Sequence, residues 1–217
     1  VPDLRDRLEG FFRLASARGL DADFHVDETM DASSETLRLI AEVALAVRFE
    51  GRIVVGHCCA LSTQSEARAL DTLDIVARAG IHVVSLPMCN LYLQDRHEGR
   101  TPRGRGVTLV HEMRARGIPV SFASDNTSDP FYAYGDLDML EVMRQATRIA
   151  HLDHAATDWV TSFTTQPSAT CGFAPQGLQP GDPADLIIFK AREWTELYAR
   201  PQSDRIVLRG GKAIDRT

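Results

Sequence analysis

Apolar positions along the chain fall into two alternating kinds of segment. Residues 3–19, "DLRDRLEGFFRLASARG", repeat at helical spacing and predict a helix closed by Gly19. Residues 22–27, "ADFHVD", predict a strand. A second helix follows over 34–49, with Leu37, Ile40, Ala41, Ala44 and Val47 on one face, and then the strand "RIVVGH" at 52–57. Residues 65–80 predict a helix with a Thr63/Glu66 capping box and a terminal Gly80. The strand "IHVVSLP" at 81–87, a loop at 87–106, the helix 108–117 and the strand "IPVSFASD" at 118–125 come next. Residues 136–152 predict a last long helix, N-capped by Asp136.

Strand and helix thus alternate four times. The strands are Val/Ile-rich runs without polar alternation, as expected when both faces of a parallel sheet are covered. Strand ends fall near residues 26, 56, 86 and 123. The first two intervals are about 30 residues each, which suits eight units in a ~250-residue barrel. No Gly-rich phosphate loop follows any strand, so a (β/α)8 barrel is favoured over a doubly wound sheet. Four units make half a barrel, expected over residues 1–170.

Beyond residue 152 the pattern changes. Residues 155–172 predict one or two short helices, "GLQPGDPADLIIF" turns into a strand, and "RIVLRGGKAI" predicts a hairpin around Gly210 and Gly211. Residues 171–217 are therefore expected to form a separate small β-segment.

Composition narrows the classes. The 217 residues are 44% hydrophobic and 25% charged, an ordinary globular balance. A net charge of −6 argues against a nucleic-acid partner, and no apolar run approaches the roughly 18 residues of a membrane span. The basic stretch "RHEGRTPRGRG" at 96–106 is expected to be a solvated loop. Cys58, Cys59, Cys89 and Cys171 show no disulfide or C-x-x-C spacing, so reduced thiols in a cytoplasmic protein are expected, with Cys58 and Cys59 as small buried hydrophobes. The chain opens on Val1 rather than Met, and no signal peptide is expected within it.

In a β/α barrel, side chains just beyond the strand C-termini share one mouth. Those positions hold His25 and Glu28, then His57, then Asn90, then Asp125 and Asn126. Two histidines and two acids converging on one pocket suit a divalent metal, zinc or iron, and its water. His82 lies within a strand and reads as structural; His97, His111, His151 and His154 read as solvated.

"FHVDET", "GHCCALS", "SLPMCNLYLQDR" and "SFASDNTSDPFYAYG", in that order and at strand-length spacing, resemble the cytosine deaminase branch of the amidohydrolase superfamily. The tail "GLQPGDPADLIIF…VLRGGKAI" is similar to that superfamily's C-terminal contribution to its β-sandwich. The resemblance implies barrel strands five to eight, and hydrolytic deamination of cytosine or a related aminated pyrimidine to uracil and ammonia. It implies His25 and Asp125 as ligands of one divalent metal, with Asp125 also taking a proton from the attacking water. It gives Glu28 as the proton shuttle and His57 as the hydrogen-bond partner of the attacking hydroxide. Ammonia leaves only when protonated, so one acid must alternate between donor and acceptor. Asn90, Leu91, Gln94, Asn126 and Phe131 are implied as contacts to a small nitrogen heterocycle.

The sequence departs from that pattern in two places. Asn126 stands where relatives often carry a second acid, and the H-x-H of the superfamily's first strand is absent from these residues. The expectation is therefore the C-terminal half of a longer enzyme, homo-oligomeric when full length. Two rival readings remain: an amidohydrolase acting on isocytosine, a creatinine-like ring or an aminotriazine, and a non-catalytic scaffold of the same fold. The zinc cytidine-deaminase fold is rejected, since "LPMCN" lacks the second cysteine of P-C-x-x-C.

Overall fold

A computed structural model describes residues 3–154, 158–174 and 177–214. Helix α1 (Leu4–Ala17) buries Leu8, Phe12 and Ala15, a spacing that keeps one face inward. It ends as expected at Gly19, whose φ of 61° lets the N–H groups of Gly19 and Leu20 return to Ser16 and Ala15. Strand β1 (Ala22–Val26) follows, then α2 (Thr36–Val47), β2 (Ile53–His57) and α3 (Glu66–Arg78). Strand β3 (His82–Ser85) leads into α4 (Pro87–Leu93) and α5 (Val110–Ala115); β4 (Val120–Phe122) leads into α6 (Met139–Ala150).

The four strands form one parallel sheet in chain order, β1-β2-β3-β4, with Ala22 opposite Ile53, Val54 opposite His82 and Val83 opposite Val120. Sequential order with no reversal is the winding of a barrel segment, since a doubly wound sheet changes direction at its switch point. The faces differ sharply. Val26, Ile53, Val55 and Val83 are buried in the core, whereas Asp23, His25, Val54, Gly56 and Val84 line an open cavity of about 540 Å³ on the other face. Burying Phe12 or Leu37 in the helical layer contributes about 1.5–3 kcal/mol each.

Several local expectations need correction. The Thr63 hydroxyl donates to the Ala60 carbonyl and closes a 3-10 turn, so it does not cap α3, which starts after Ser65. Helix α6 is capped by Asp138 rather than Asp136, because the Asp138 carboxylate is the one that accepts the Leu140 N–H, at 3.0 Å. The stretch read as a loop from residue 87 contains α4, begun by a proline with no N–H to satisfy. His111 is not simply solvated: its Nε2 lies 2.7 Å from the Ala150 carbonyl and its ring meets Trp159 edge-on. The 96–106 stretch is gathered by Asp95, which pairs with Arg100 and accepts the N–H groups of Arg103 and Gly104.

Residues 155–157, where the later helical stretch was expected to begin, lie outside the described residues. A 3-10 turn at Val160–Phe163 stacks Phe163 on Phe122 of β4, and α7 (Thr165–Thr170) follows. Strands β5 (Leu186–Phe189), β6 (Arg205–Arg209) and β7 (Lys212–Ala213) form a second, antiparallel sheet. The β6–β7 turn uses Gly210 and Gly211 at positive φ, as the sequence indicated. An unanticipated helix, α8 (Trp194–Ala199), lies between β5 and β6. This part is joined to α6 by Arg205, whose two terminal nitrogens lie 2.9 and 2.7 Å from the Asp138 carboxylate oxygens. No helix among the described residues is long and apolar enough to cross a membrane.

Candidate active site

The acids after β1 divide their work. Asp27 turns away from the cavity: it accepts the Ser34 hydroxyl and the backbone N–H groups of Thr36 and Leu37, at 2.7, 3.1 and 2.8 Å. It thereby caps α2, whose own first residues supply no side-chain cap. Asp31 is exposed and organises the turn at Ser33. Glu28 is left for the mouth.

Three strand ends carry a residue in the left-handed region: Asp27 at φ 50°, His57 at 70° and Asp125 at 66°. Such backbone is costly for a residue with a Cβ and concentrates where a side chain must be re-aimed. His57 is 2% exposed, and its Nε2 lies 3.3 Å from Nδ1 of His25. Behind it, the Asn90 amide nitrogen stands 3.0 Å from His57 Nδ1 and 3.2 Å from Glu28 Oε1. The same His57 nitrogen is 3.5 Å from Glu28 Oε1. Asn90, also 2% exposed, comes from the first turns of α4. The carboxylate and imidazole are therefore held by an amide rather than by each other alone.

Asp125 faces this group from β4. One ligand atom each of Glu28, His57 and Asp125 lies within 4.8 Å of the other two. Asp125 Oδ2 is buried with no hydrogen-bond partner among the described residues, an arrangement that costs about 1–3 kcal/mol unless a cation or donor meets it. An orphaned carboxylate oxygen beside imidazoles and a second acid fits a divalent ion with borderline hardness. His25 lies with Asp125 along the open cavity.

Two buried thiols, absent from the sequence-based site, lie beside its acids. Burial first and the neighbouring acids second push the Cys59 and Cys89 thiols up to about 12, so both stay protonated. Cys58 and Cys59 are fully buried, as expected. Cys89 donates to the Asn126 amide oxygen at 3.2 Å, and the Asn126 nitrogen donates to Asp129 at 2.6 Å. Gln94 reaches the Glu28 carbonyl at 3.4 Å, which ties α4 to the β1 loop. Leu91 is half-buried on the same helix, while Phe131 is 64% exposed. His82 is structural in its setting, 3.1 Å from the Thr170 hydroxyl.

The sequence profile of the amidohydrolase family matches residues 2–213. A pterin deaminase of Rhizobium rhizogenes is 55% identical over all 217 residues, which correspond to 50% of that protein. Among solved structures, 5-methylcytosine deaminase from Klebsiella pneumoniae liganded with 5-fluorocytosine superposes with a TM-score of 0.80 at 29% identity, over 98% of this chain and 52% of that one. N-isopropylammelide isopropylaminohydrolase from Burkholderia multivorans gives 0.75 at 26% identity, over 96% and 50%. The chain spans about half the length of the curated relatives it matches. It belongs to the amidohydrolase family.

Proposed function

We propose that this amidohydrolase-family chain carries the proton-handling part of a hydrolytic deaminase site acting on the aminated pyrimidine ring of a pterin. The observation that carries the reading is Glu28, braced by Asn90 against His57, opposite a buried and unpartnered Asp125 oxygen.

The reaction adds water to the ring carbon that bears the amine, breaks the carbon–nitrogen bond, and leaves a ring carbonyl and ammonia. His25 and Asp125 would hold a divalent metal, zinc or iron, which would lower the pKa of water toward neutrality. Asp125 accepts a proton from the attacking water. Glu28, protonated at the start, gives its proton to the ring nitrogen, takes up the hydroxyl proton of the addition product and hands it to the departing amine. The proton held by Asp125 then restores it, a relay that needs one carboxyl to serve as acid and base in turn. His57 orients the nucleophile, while Asn90 keeps Glu28 from collapsing onto the imidazole. The α4 segment through Leu91 and Gln94 walls the ring.

Pterin is favoured over cytosine because 55% identity runs through the whole chain in the pterin deaminase, against 29% for the 5-methylcytosine deaminase. Cytosine stands as the second reading, supported by the close superposition on a 5-fluorocytosine complex. Ammonia release by the full-length, metal-loaded protein would be measured with pterin, cytosine, isocytosine and an aminotriazine. The expected result is a kcat/KM for pterin at least about tenfold above the others, the scale of about 1.4 kcal/mol of discrimination. Cytosine ahead of pterin would install the second reading. Metal binding with no ammonia from any ring would favour the non-catalytic scaffold.

A further inference from the structure

Cys89 and Asn90 are consecutive on α4, and Asp125 and Asn126 are consecutive after β4. A contact from the Cys89 thiol to the Asn126 amide oxygen, at 3.2 Å, joins the two pairs, and the same thiol lies against the Asp125 carboxylate. On one side of it, Asn90 holds Glu28 and His57. On the other, Asn126 is fixed by Asp129, whose second oxygen accepts the N–H groups of Phe131 and Tyr132, both at 2.9 Å. The turn packs closely against Gly135, where an added Cβ would stand 2.4 Å from the Asn126 carbonyl oxygen and 2.9 Å from the Thr127 Cα. Both ends of the Asn126 amide are thus engaged, and neither is free to read a ring.

From this we infer that Cys89 and Asn126 are positioning residues, a thiol–amide clip that sets the placement of Asp125 relative to Glu28. The inference rests on the proposed metal-dependent site, but not on the identity of its substrate. A thiol is a weak donor, so the clip acts on where the two acids stand rather than on global stability. Removing it lets α4 and the β4 loop settle independently. The ligand carboxylate then loses the support that typically sustains ten- to a hundredfold of metal affinity.

The test uses the full-length protein and cobalt(II) alone as probe, with Cys89→Val, Cys89→Ser and the wild type compared. Valine keeps the volume without the donor; serine restores a donor. The expected result is a shifted cobalt visible absorption band and about tenfold weaker binding in Cys89→Val. Cys89→Ser should return both to within about threefold of wild type, with all three melting cooperatively. Should valine crowd the site and abolish folding, Cys89→Ala takes its place with the same expectation. Wild-type spectrum and affinity in the donor-free variant would overturn the inference. So would a serine variant as impaired as the donor-free one, since packing alone would then explain the effect. Cobalt binding that follows this pattern in a protein inactive on every ring would leave the clip standing and reject the substrate reading.

Discussion

Nε2 of His57 lies 3.3 Å from Nδ1 of His25, so the two rings share room for one proton between them. His57 is the buried member, and its other nitrogen faces Asn90. The orientation of His25, a residue with an exposed side chain, therefore depends on a ring locked behind it. His57→Ala is expected to lower metal retention about ten- to a hundredfold as well as turnover. Metal analysis after exhaustive dialysis checks this, with a thermal melt to register the cavity left behind. Unchanged metal content would mean that His25 is oriented by something else.

Glu28→Gln removes the exchangeable proton and keeps the shape. Turnover is expected to fall about 10²–10⁴-fold while metal content stays at the wild-type level. Parallel assays of ammonia release and bound metal settle it, and retained activity would take Glu28 out of the mechanism.

At Asp125, chemistry and stability pull in opposite directions. Asp125→Gly relieves a φ of 66° and deletes the unpartnered buried oxygen. The metal-free protein is expected to gain about 1–3 kcal/mol of stability. Added zinc should then raise the melting point of the wild type and leave the glycine variant nearly unmoved. Urea titrations of the metal-free proteins and thermal melts with and without zinc give the two numbers, and a less stable metal-free glycine variant would contradict the account.

Asp27 can be probed without disturbing its backbone, because asparagine also tolerates the left-handed region. Asp27→Asn keeps one acceptor oxygen but sets an N–H against the Leu37 N–H, and should cost about 1 kcal/mol, the scale of one lost hydrogen bond. The loss should appear as faster amide exchange in the first turn of α2. A variant as stable as wild type would show that the capping bonds contribute nothing net.

The arginine-rich segment 96–106 offers a proteolytic test. Two backbone N–H groups, from Arg103 and Gly104, and the Arg100 guanidinium hold the Asp95 carboxyl far below its ordinary range. A carboxyl depressed in the folded state lends stability above its unfolded pKa, and that stability drains away as pH falls through the folded value. The loop should therefore stay ordered at pH 7 and through mild acid. Asp95→Asn should expose Arg100, Arg103 and Arg105 to trypsin at neutral pH, with cleavage mapped by mass spectrometry. Equal cleavage rates in both proteins would show that Asp95 does not organise the loop.

Much of the architecture was legible because periodicity and strand ends carry it. Val/Ile runs located β2 and β3, and shorter apolar stretches located β1 and β4. Glu28, His57 and Asp125, each expected at a strand end, lie with ligand atoms within 4.8 Å of one another, and His25 stands beside His57. The misses share a cause, a choice between equivalent local options that only tertiary contacts make. Asp136 and Asp138 are both good caps, and only the geometry of the chain favours the second. In "SLPMCNLYL" Pro87 opens α4, but a proline after an apolar run reads equally well as the end of β3 and the start of a loop. Asn126 reads as a ring contact until Cys89 and Asp129 are seen to occupy its amide.

The Asp138–Arg205 pair bears on how such proteins can be recombined. One carboxylate serves as the first-turn cap of α6 and as the anchor of the antiparallel sheet. Helix α6 follows β4, the strand that leads to Asp125. A chimaera that exchanged the C-terminal segment at its apparent boundary would leave that carboxylate without its counter-ion. Any donor segment must supply an arginine at the matching height, and compatibility between parental sequences is set there by a charge rather than by the length of a linker.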